Sequence, residues 1–214
     1  MNLICIYLRY FLIVLCIAIG VCDAKAQGGM EFPYPQIPTM MTEPQQRATY
    51  LLMHYWDNVD FKDMKLVANE DFIEQGFVNY LSVLPIVDAQ TAERSVEAMM
   101  KRAEVNVVVY KKLVNIAEKY LFEPNSPMVS DEMYIMFLNQ VMKTSVLSKV
   151  EKARFEYQHK VVMKNRVGSV ATDFLYIDKD GKSGTLHKFE AEETLLIFYD
   201  PDCDNCTEII EKLR

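Results

Sequence analysis

Apolar residues recur at helical spacing through most of the chain between residues 42 and 165. Apolar side chains at positions i, i+3 and i+4 share one face of a helix. Six segments show this pattern, and they centre on residues 48–59, 73–84, 92–103, 110–121, 134–141 and 148–165. The loops between them are short, so the pattern predicts a helical bundle.

Capping and breaking residues predict where some of these helices begin and end. Thr42 is the predicted N-cap of the first helix, because Pro44 follows in the first turn. Ser130 is the predicted N-cap of the fifth helix. Pro85 ends the second helix, and Pro124 ends the fourth.

The hydrophobic pattern changes from helical to strand-like near Gly168. Residues 170–177 alternate as a strand does, residues 178–184 are rich in turn formers, and residues 185–189 form a returning strand. The turn residues also resemble a calcium-binding loop, but Tyr176 stands where the first ligand would be, so the sequence favours a hairpin. The apolar run at residues 195–199 predicts a buried strand.

Two cysteines follow that run, with the spacing Cys203-x-x-Cys206. Ile209, Ile210 and Leu213 continue at helical spacing, so the cysteines fall on the first turn of a predicted helix. Unpaired backbone N–H groups at a helix N-terminus stabilise a thiolate. Cys203 is therefore the candidate attacking nucleophile and Cys206 the candidate resolving thiol of a redox-active disulfide.

The cysteine pair allows two other interpretations. One is a static surface disulfide between Cys203 and Cys206. The other is a zinc site, which needs two more ligands. His54, His159 and His187 are scattered singly along the sequence, so neither a metal nor any other cofactor is expected.

The region from residue 168 to residue 213 resembles thioredoxin-like thiol–disulfide oxidoreductases of the bacterial cell envelope. The resemblance rests on an A-x-D-F strand starting at Ala171, a D-x-D-G-K hairpin starting at Asp178, an L-L-x-F strand starting at Leu195, and the two cysteines. It implies a thioredoxin-like fold, protein thiols or disulfides as partners, and catalytic roles for Cys203 and Cys206.

This sequence departs from that family around the cysteines. Asp202 stands where the family usually has an aromatic residue, and Asp204-Asn205 replaces the common Gly-Pro dipeptide. Asp200, Asp202 and Asp204 each disfavour a thiolate at Cys203, which opposes the effect of the helix N-terminus. The Cys203–Cys206 pair is therefore expected to be a weak oxidant and to act as a reductant or an isomerase.

The helical part resembles a family of uncharacterised exported bacterial proteins. The matching stretches are residues 52–63, 117–128 and 164–168, and the resemblance spans about residues 34–213. Proteins of that family join an N-terminal helical domain of unknown function to a C-terminal thioredoxin-like domain. The resemblance implies a two-part architecture and leaves the partner of the helical part unknown.

The N-terminus predicts export. Arg9 precedes the apolar run 10–21, and Ala24-Lys25-Ala26 matches a signal-peptidase site, so residues 1–26 are a predicted signal peptide. An uncleaved membrane anchor is an alternative, but the run is short for a bilayer span. Lipid attachment at Cys22 is a second alternative, and it would place the protein on a membrane. Periplasm or cell envelope is the expected location.

Charge and composition limit the partners further. The chain carries 23 basic and 30 acidic residues, for a net charge of −7. Such a balance argues against nucleic acid and against an anionic membrane surface. Residues 27–41 contain Pro33, Pro35 and Pro38 among apolar residues, and they predict an extended linker lying on a surface.

The expected architecture is mainly α: a helical bundle at residues 42–165, followed by an incomplete α/β thioredoxin-like segment at residues 166–214. The segment has about half of the ~100 residues that such a domain needs, so a fragment or a short natural product is expected. The expected function is an envelope thiol–disulfide oxidoreductase that is not competent as this chain. The alternative is a non-enzymatic interaction module with a passive disulfide.

A binding groove in the helical part was a further possibility. His54, Tyr55, Trp56, Asp57 and Asp60 could line such a groove. Aromatic residues at helical spacing are usually core residues, so packing of Tyr55 and Trp56 is favoured, with the two acids in water.

Overall fold

The computed structural model of the protein describes residues 30–200 and 202–213. By contacts between its residues, the chain divides into two compact units, Met1–Met163 and Lys164–Arg214. The described part of the structure is mainly helical. The predicted signal peptide and Cys22 lie outside the described residues, and export stays a prediction. None of the described helices is both long enough and apolar enough to cross a membrane.

Seven α-helices form the described part of the first unit. They are α1 Pro44–His54, α2 Met64–Ala68, α3 Glu70–Val83, α4 Ala89–Ala103, α5 Val107–Leu121, α6 Asp131–Lys143 and α7 Lys149–Val162, with a 3₁₀ turn at Leu84–Ile86. The six predicted helical segments correspond to α1 and α3–α7. The sequence analysis missed α2, because its five residues are too few to show a period.

Side-chain caps explain where most of these helices begin. Asn69 accepts a hydrogen bond from the backbone N–H of Phe72 at 3.1 Å, and Asp88 accepts from that of Thr91 at 2.9 Å. The predicted cap at Ser130 is confirmed. The other capping residues are Asp63, Asn106 and Ser148. Each satisfies a backbone donor that the helix itself leaves unpaired.

The predicted cap at Thr42 is wrong. Helix α1 begins at Pro44, so the N-cap position falls on Glu43, and the Glu43 side chain makes no capping hydrogen bond. Proline at the first helical position has no N–H to satisfy and a φ angle suited to a helix. This start therefore needs less help from a side-chain cap than the others do.

The hydrophobic core of the described chain lies within the helical unit, between Leu52 and Val162. Four tyrosines are fully buried in it: Tyr55, Tyr80, Tyr110 and Tyr134. Three of their hydroxyl groups have polar partners, which are Gly76 O, Ser95 Oγ and Gln158 Oε1. A buried polar group without a partner lowers the stability of the fold. These three hydrogen bonds therefore favour the arrangement of α1, α3, α4, α6 and α7 in which each hydroxyl is paired.

The segment before α1 is anchored on the helical unit. It contains no helix or strand from Met30 to Pro38, as predicted for a linker. Phe32 is half-buried and contacts the rings of Tyr55, Trp56 and Phe72 at centroid distances of 4.9–5.4 Å. Asn58 Nδ2 also donates to Pro33 O at 3.2 Å. The segment therefore extends the aromatic core rather than only covering it.

The second unit contains an antiparallel hairpin. Strand β1 Leu175–Ile177 pairs with β2 Ser183–Thr185, with Tyr176 opposite Gly184. Asp178 Oδ1 closes the turn by accepting from the backbone N–H groups of Asp180 and Lys182 at 2.9 and 2.8 Å. Gly181 has a φ of 79°, which glycine adopts without strain. The predicted hairpin is confirmed, although a 3₁₀ turn at Leu186–Lys188 replaces most of the returning strand.

The predicted strand at residues 195–199 is wrong for the described structure. These residues have no regular secondary structure, and their side chains are exposed, including 79% of Leu195 and 84% of Phe198. A strand forms only where a neighbouring strand offers backbone donors and acceptors. Within the described residues, the sheet consists of β1 and β2 alone, and both are paired with each other. Local hydrophobicity was therefore not enough to form a strand.

Candidate redox site

The two cysteines lie where a turn enters the last helix. Helix α8 spans Asp204–Leu213, so Cys203 directly precedes it and Cys206 lies in its first turn. The backbone N–H of Cys203 donates to Asp200 O at 3.1 Å, and that of Asp202 donates to Asp200 Oδ1 at 3.0 Å. Asp200 therefore orders the turn that presents Cys203 at the helix N-terminus.

Cys203 and Cys206 are both present as thiols, and both are partly exposed. A hydrogen bond between their side chains raises the pKa of the Cys206 thiol, and desolvation raises it further. Asp200 acts in both directions on this pKa: a hydrogen bond with its backbone lowers it, and its negative charge raises it. Cys206 is therefore held as a protonated thiol beside Cys203.

This arrangement suits thiol–disulfide exchange. Cysteines at the start and in the first turn of one helix are close enough to bridge, as the contact between their side chains shows. Partial exposure leaves room for a substrate sulfur to approach. The predicted disulfide between Cys203 and Cys206 stays a prediction.

Contacts within the second unit connect the hairpin to the segment before the cysteines. The rings of Phe174 and Phe198 lie 6.2 Å apart, centroid to centroid. Asp173 Oδ1 accepts from the backbone N–H of His187 at 3.0 Å, and this bond holds the pKa of the Asp173 carboxyl below its ordinary value. These contacts involve two of the residues on which the sequence resemblance rested, Asp173 and Phe174.

The structure decides between the two interpretations of the aromatic residues that directly follow α1. Tyr55 is 1% exposed and Trp56 is 3% exposed, so the packing interpretation is confirmed. His54 Nδ1 lies 2.7 Å from Asp57 Oδ2 at the surface, and Asp57 also accepts from Arg102. Within the described residues, no three His, Cys, Asp or Glu side chains are arranged to hold a metal ion.

The comparison with protein families decides the identity of the helical part. A family model described as "Domain of unknown function (DUF5106)" matches residues 18–165. The chain belongs to this family. The match covers every described helix of the first unit, α1–α7, and the description of the DUF5106 family assigns no activity to it.

A solved structure extends the similarity of this DUF5106 protein to the second unit. The chain is similar to a thioredoxin-like protein from Bacteroides caccae ATCC 43185, solved at 1.90 Å resolution, with 37% sequence identity and a TM-score of 0.79. The match covers 85% of this chain, which is more than the helical unit alone contains. The chain spans 66% of the length of that protein. No curated protein matches the sequence.

A second group of polar residues was missed by the sequence analysis. Tyr110 and Gln140 line a cavity of about 240 Å³ in the helical unit. A signal was present, because Gln140 stands among the apolar positions Phe137, Leu138 and Val141 of a helix whose buried face they form. A polar residue on an otherwise apolar face indicates either a buried hydrogen bond or a binding site.

Proposed function

We propose that this DUF5106 protein is a thiol–disulfide oxidoreductase of the cell envelope, with Cys203 as the attacking thiol and Cys206 as the resolving thiol. The observation that carries the proposal is the position of Cys203 immediately before α8, with a hydrogen bond between its side chain and that of Cys206. The similarity to a thioredoxin-like protein supports it.

The proposed reaction has two steps. The Cys203 thiolate attacks one sulfur of a substrate disulfide, so that the Cys203–substrate bond forms and the other substrate sulfur leaves as a thiolate. The Cys206 sulfur then loses its proton and attacks Cys203 Sγ. The Cys203–Cys206 disulfide forms, and the second substrate sulfur leaves. The substrate disulfide is reduced to two thiols, and the protein is oxidised.

The electrostatics of the pair support this division of roles. A raised pKa keeps Cys206 protonated at neutral pH, so it is a poor first nucleophile. Cys203 directly precedes the helix, and the unpaired backbone N–H groups of a helix N-terminus favour a thiolate. The acidic residues beside Cys203 oppose that stabilisation, so we propose a weakly oxidising pair that works as a reductant or isomerase.

The location is part of the proposal. We propose that the chain is exported and cleaved after Ala26, because the N-terminal sequence has the charge, apolar run and small residues of a signal peptide. Intact-mass measurement of protein from the envelope fraction tests this point. A mature protein starting at Gln27 is expected, whereas a diacylglyceryl mass on Cys22 would show a lipoprotein instead.

Trapping of a mixed disulfide tests the division of roles. In Cys206→Ser, the resolving thiol is missing, so a disulfide-bonded complex between Cys203 and substrate proteins should accumulate. In Cys203→Ser, no such complex should form, since the remaining thiol is protonated. Non-reducing electrophoresis of tagged variants from the envelope measures both. If neither variant traps a partner while the wild type forms the Cys203–Cys206 disulfide, the cysteines are passive and the proposal fails.

A further inference from the structure

The negative charge of the chain is concentrated in the segment that contains the two cysteines. Residues 190–214 include eight acidic and two basic residues, for a net charge of −6, whereas the whole chain has a net charge of −7. Residues 1–189 include 22 acidic and 21 basic residues and are therefore nearly neutral. Such an asymmetry along one chain indicates that the charged segment meets a partner of the opposite charge.

Two of these acidic residues lie in the turn that leads to Cys203. Asp200 and Asp202 are both exposed. The Cys203 N–H donates to Asp200 O at 3.1 Å, and the Asp202 N–H donates to Asp200 Oδ1 at 3.0 Å, so hydrogen bonds hold both residues beside the cysteine. Lys212 is the basic residue nearest to the cysteines in sequence, and it pairs with Glu208 at 2.6 Å rather than with either aspartate.

The charge of this turn acts at the sulfur atoms. A hydrogen bond with Cys203 is the main cause of the raised pKa of the Cys206 thiol, and the negative charge of Asp200 adds to it. A charge that favours a proton on Cys206 also favours a cationic group on a substrate whose sulfur approaches the same pair.

The N-terminus of α8 acts in the opposite direction, but its effect is smaller. A helix N-terminus is equivalent to about half a positive charge. Asp200 and Asp202 each contribute a full negative charge when ionised, so the two carboxylates together outweigh the helix. The potential at the exposed thiols is therefore negative, and it disfavours a substrate with carboxylates beside its sulfur.

We propose that the Cys203–Cys206 pair reacts preferentially with disulfides that carry a positive charge beside the reacting sulfur, and that Asp200 and Asp202 determine this preference. The inference rests on the proposed redox function and adds the substrate class to it. In a substrate protein, a lysine or arginine next to the cysteine supplies the positive charge. Cys203 forms the mixed disulfide, Cys206 closes the protein disulfide, and two electrons pass to the substrate, which leaves as two thiols.

Three small disulfides test the preference. Cystamine, bis(2-hydroxyethyl) disulfide and 3,3′-dithiodipropionate share one S–CH₂–CH₂ framework and end in an ammonium, a hydroxyl and a carboxylate group. Each reacts with the reduced full chain and, separately, with the neutral thiol 2-mercaptoethanol. The ratio of the two rates removes the intrinsic reactivity of each disulfide, including its attraction to any thiolate.

The state of the cysteine pair can be followed by mass. The tryptic peptide 189–212 contains Cys203 and Cys206 and no other cysteine. Alkylation after an acid quench and unfolding adds one label for each thiol that remains, so the label count of this peptide reports oxidation of the pair.

The normalised rate should be about tenfold higher for cystamine than for dithiodipropionate, with the neutral disulfide between them. Raising the ionic strength from ~0.01 M to ~1 M shortens the screening length from ~30 Å to ~3 Å. The three normalised rates should therefore converge at high salt.

Charge-removing variants assign the preference to the two aspartates. Asp200→Asn and Asp202→Asn should each lower the ratio of the cystamine rate to the dithiodipropionate rate about threefold, the effect of one surface charge pair. The double variant should bring the ratio close to one. The neutral disulfide reports any change in the reactivity of the thiols themselves. Asp180→Asn, in the hairpin turn, removes a carboxylate elsewhere in the second unit and should retain the wild-type ratio.

The outcomes separate this inference from the redox function on which it rests. Equal normalised rates for the three disulfides would overturn the inference alone, as would a preference for cystamine that persists in the double variant. If even the neutral disulfide does not convert the pair to the Cys203–Cys206 disulfide, the redox function fails and the inference fails with it. If one variant does not fold, the other variant and the salt series still decide the question.

Discussion

The ring of Phe32 occupies the space where a side chain at position 76 would begin. A Cβ atom added to Gly76 would lie 2.3 Å from Phe32 Cε2 and 2.5 Å from Phe32 Cδ2. The ring has little freedom to move away, because it contacts Tyr34, Tyr55 and Trp56 at centroid distances of 4.9–5.3 Å. Phe32 and the N-terminal segment can therefore pack against α3 only because residue 76 is a glycine.

Gly76→Ala should destabilise the helical unit by about 1–3 kcal/mol, the usual range for overpacking a core. This sign is opposite to the usual effect, because alanine inside a helix is normally more stable than glycine by about 1 kcal/mol. Urea unfolding followed by Trp56 fluorescence measures the change.

A double-mutant cycle with Phe32→Ala gives the control for that prediction. Removing the ring removes the clash, so Gly76→Ala should become neutral or stabilising in the Phe32→Ala background. If Gly76→Ala costs the same in both backgrounds, the close contact with Phe32 is not the reason for glycine at this position.

Alkylation of Cys206 should depend on the identity of residue 203. The side-chain hydrogen bond with Cys203 is the largest cause of the raised pKa of Cys206. In Cys203→Ala that bond is lost, so Cys206 should react with iodoacetamide at lower pH than in Cys203→Ser, whose hydroxyl can retain the bond. Rates measured across a pH series give the comparison, and identical profiles for the two variants would contradict the assigned cause.

Asp200→Asn should lower the pH at which Cys206 is alkylated. The charge of Asp200 raises the pKa of Cys206, and an amide at this position can still accept the bond from the Asp202 N–H. Cys206 in Asp200→Asn, Cys203→Ser should therefore react at lower pH than in Cys203→Ser alone. Asp180→Asn, in the hairpin turn, is the matched control and should leave the profile unchanged.

The capping box of α7 should make the helical unit sensitive to acid. Ser148 Oγ accepts from the Glu151 N–H at 3.3 Å, and Glu151 Oε2 accepts from the Ser148 N–H at 2.8 Å. Lys111 and these contacts lower the pKa of Glu151 to about 2, from an ordinary value of 4.5. The contribution of the Glu151 charge is present above pH 4.5 and is lost as the pH falls through about 2.

Glu151→Gln should therefore lower the free energy of unfolding at neutral pH. Between pH 4.5 and 2, this free energy should fall less in the variant than in wild type. Ser148→Ala should cost about 1 kcal/mol at neutral pH, the typical value for a lost N-cap. Acid titration of Trp56 fluorescence at fixed urea measures both. Glu156→Gln, an exposed position on the same helix, should retain the wild-type slope. If the free energy of unfolding of Glu151→Gln still falls steeply in acid, groups other than Glu151 cause the acid sensitivity.

Residues 27–165 should fold without the rest of the chain. The buried hydrophobic residues of the described structure all lie between Leu52 and Val162, so the helical unit contains a complete core. Urea unfolding of this fragment should be cooperative and should match the Trp56 transition of the full chain. A broad transition, or a midpoint well below that of the full chain, would show that residues 166–214 stabilise the helices.

The helix positions could be predicted because they depend on local interactions. Apolar spacing places α3–α7 within a few residues, and Ser130 caps α6 through a hydrogen bond to a residue three positions away. The hairpin was also predictable, since Asp178 and Gly181 form the turn with their own neighbours. The Cys203-x-x-Cys206 spacing similarly determined that both thiols would lie at one helix start, and the structure places them there.

Only the tertiary structure decided the features that depend on distant residues. Phe32 and Gly76 meet because the N-terminal segment returns across α3, and nothing local to either residue encodes that approach. Residues 195–199 have the composition of a strand, but a strand also needs a pairing partner, and the described residues provide none. Thr144 Oγ1 donates to Glu104 Oε1 at 2.7 Å although 40 residues separate the two along the chain. Hydrogen bonds between distant residues depend on the packed arrangement, whereas helical spacing is carried by neighbours along the chain.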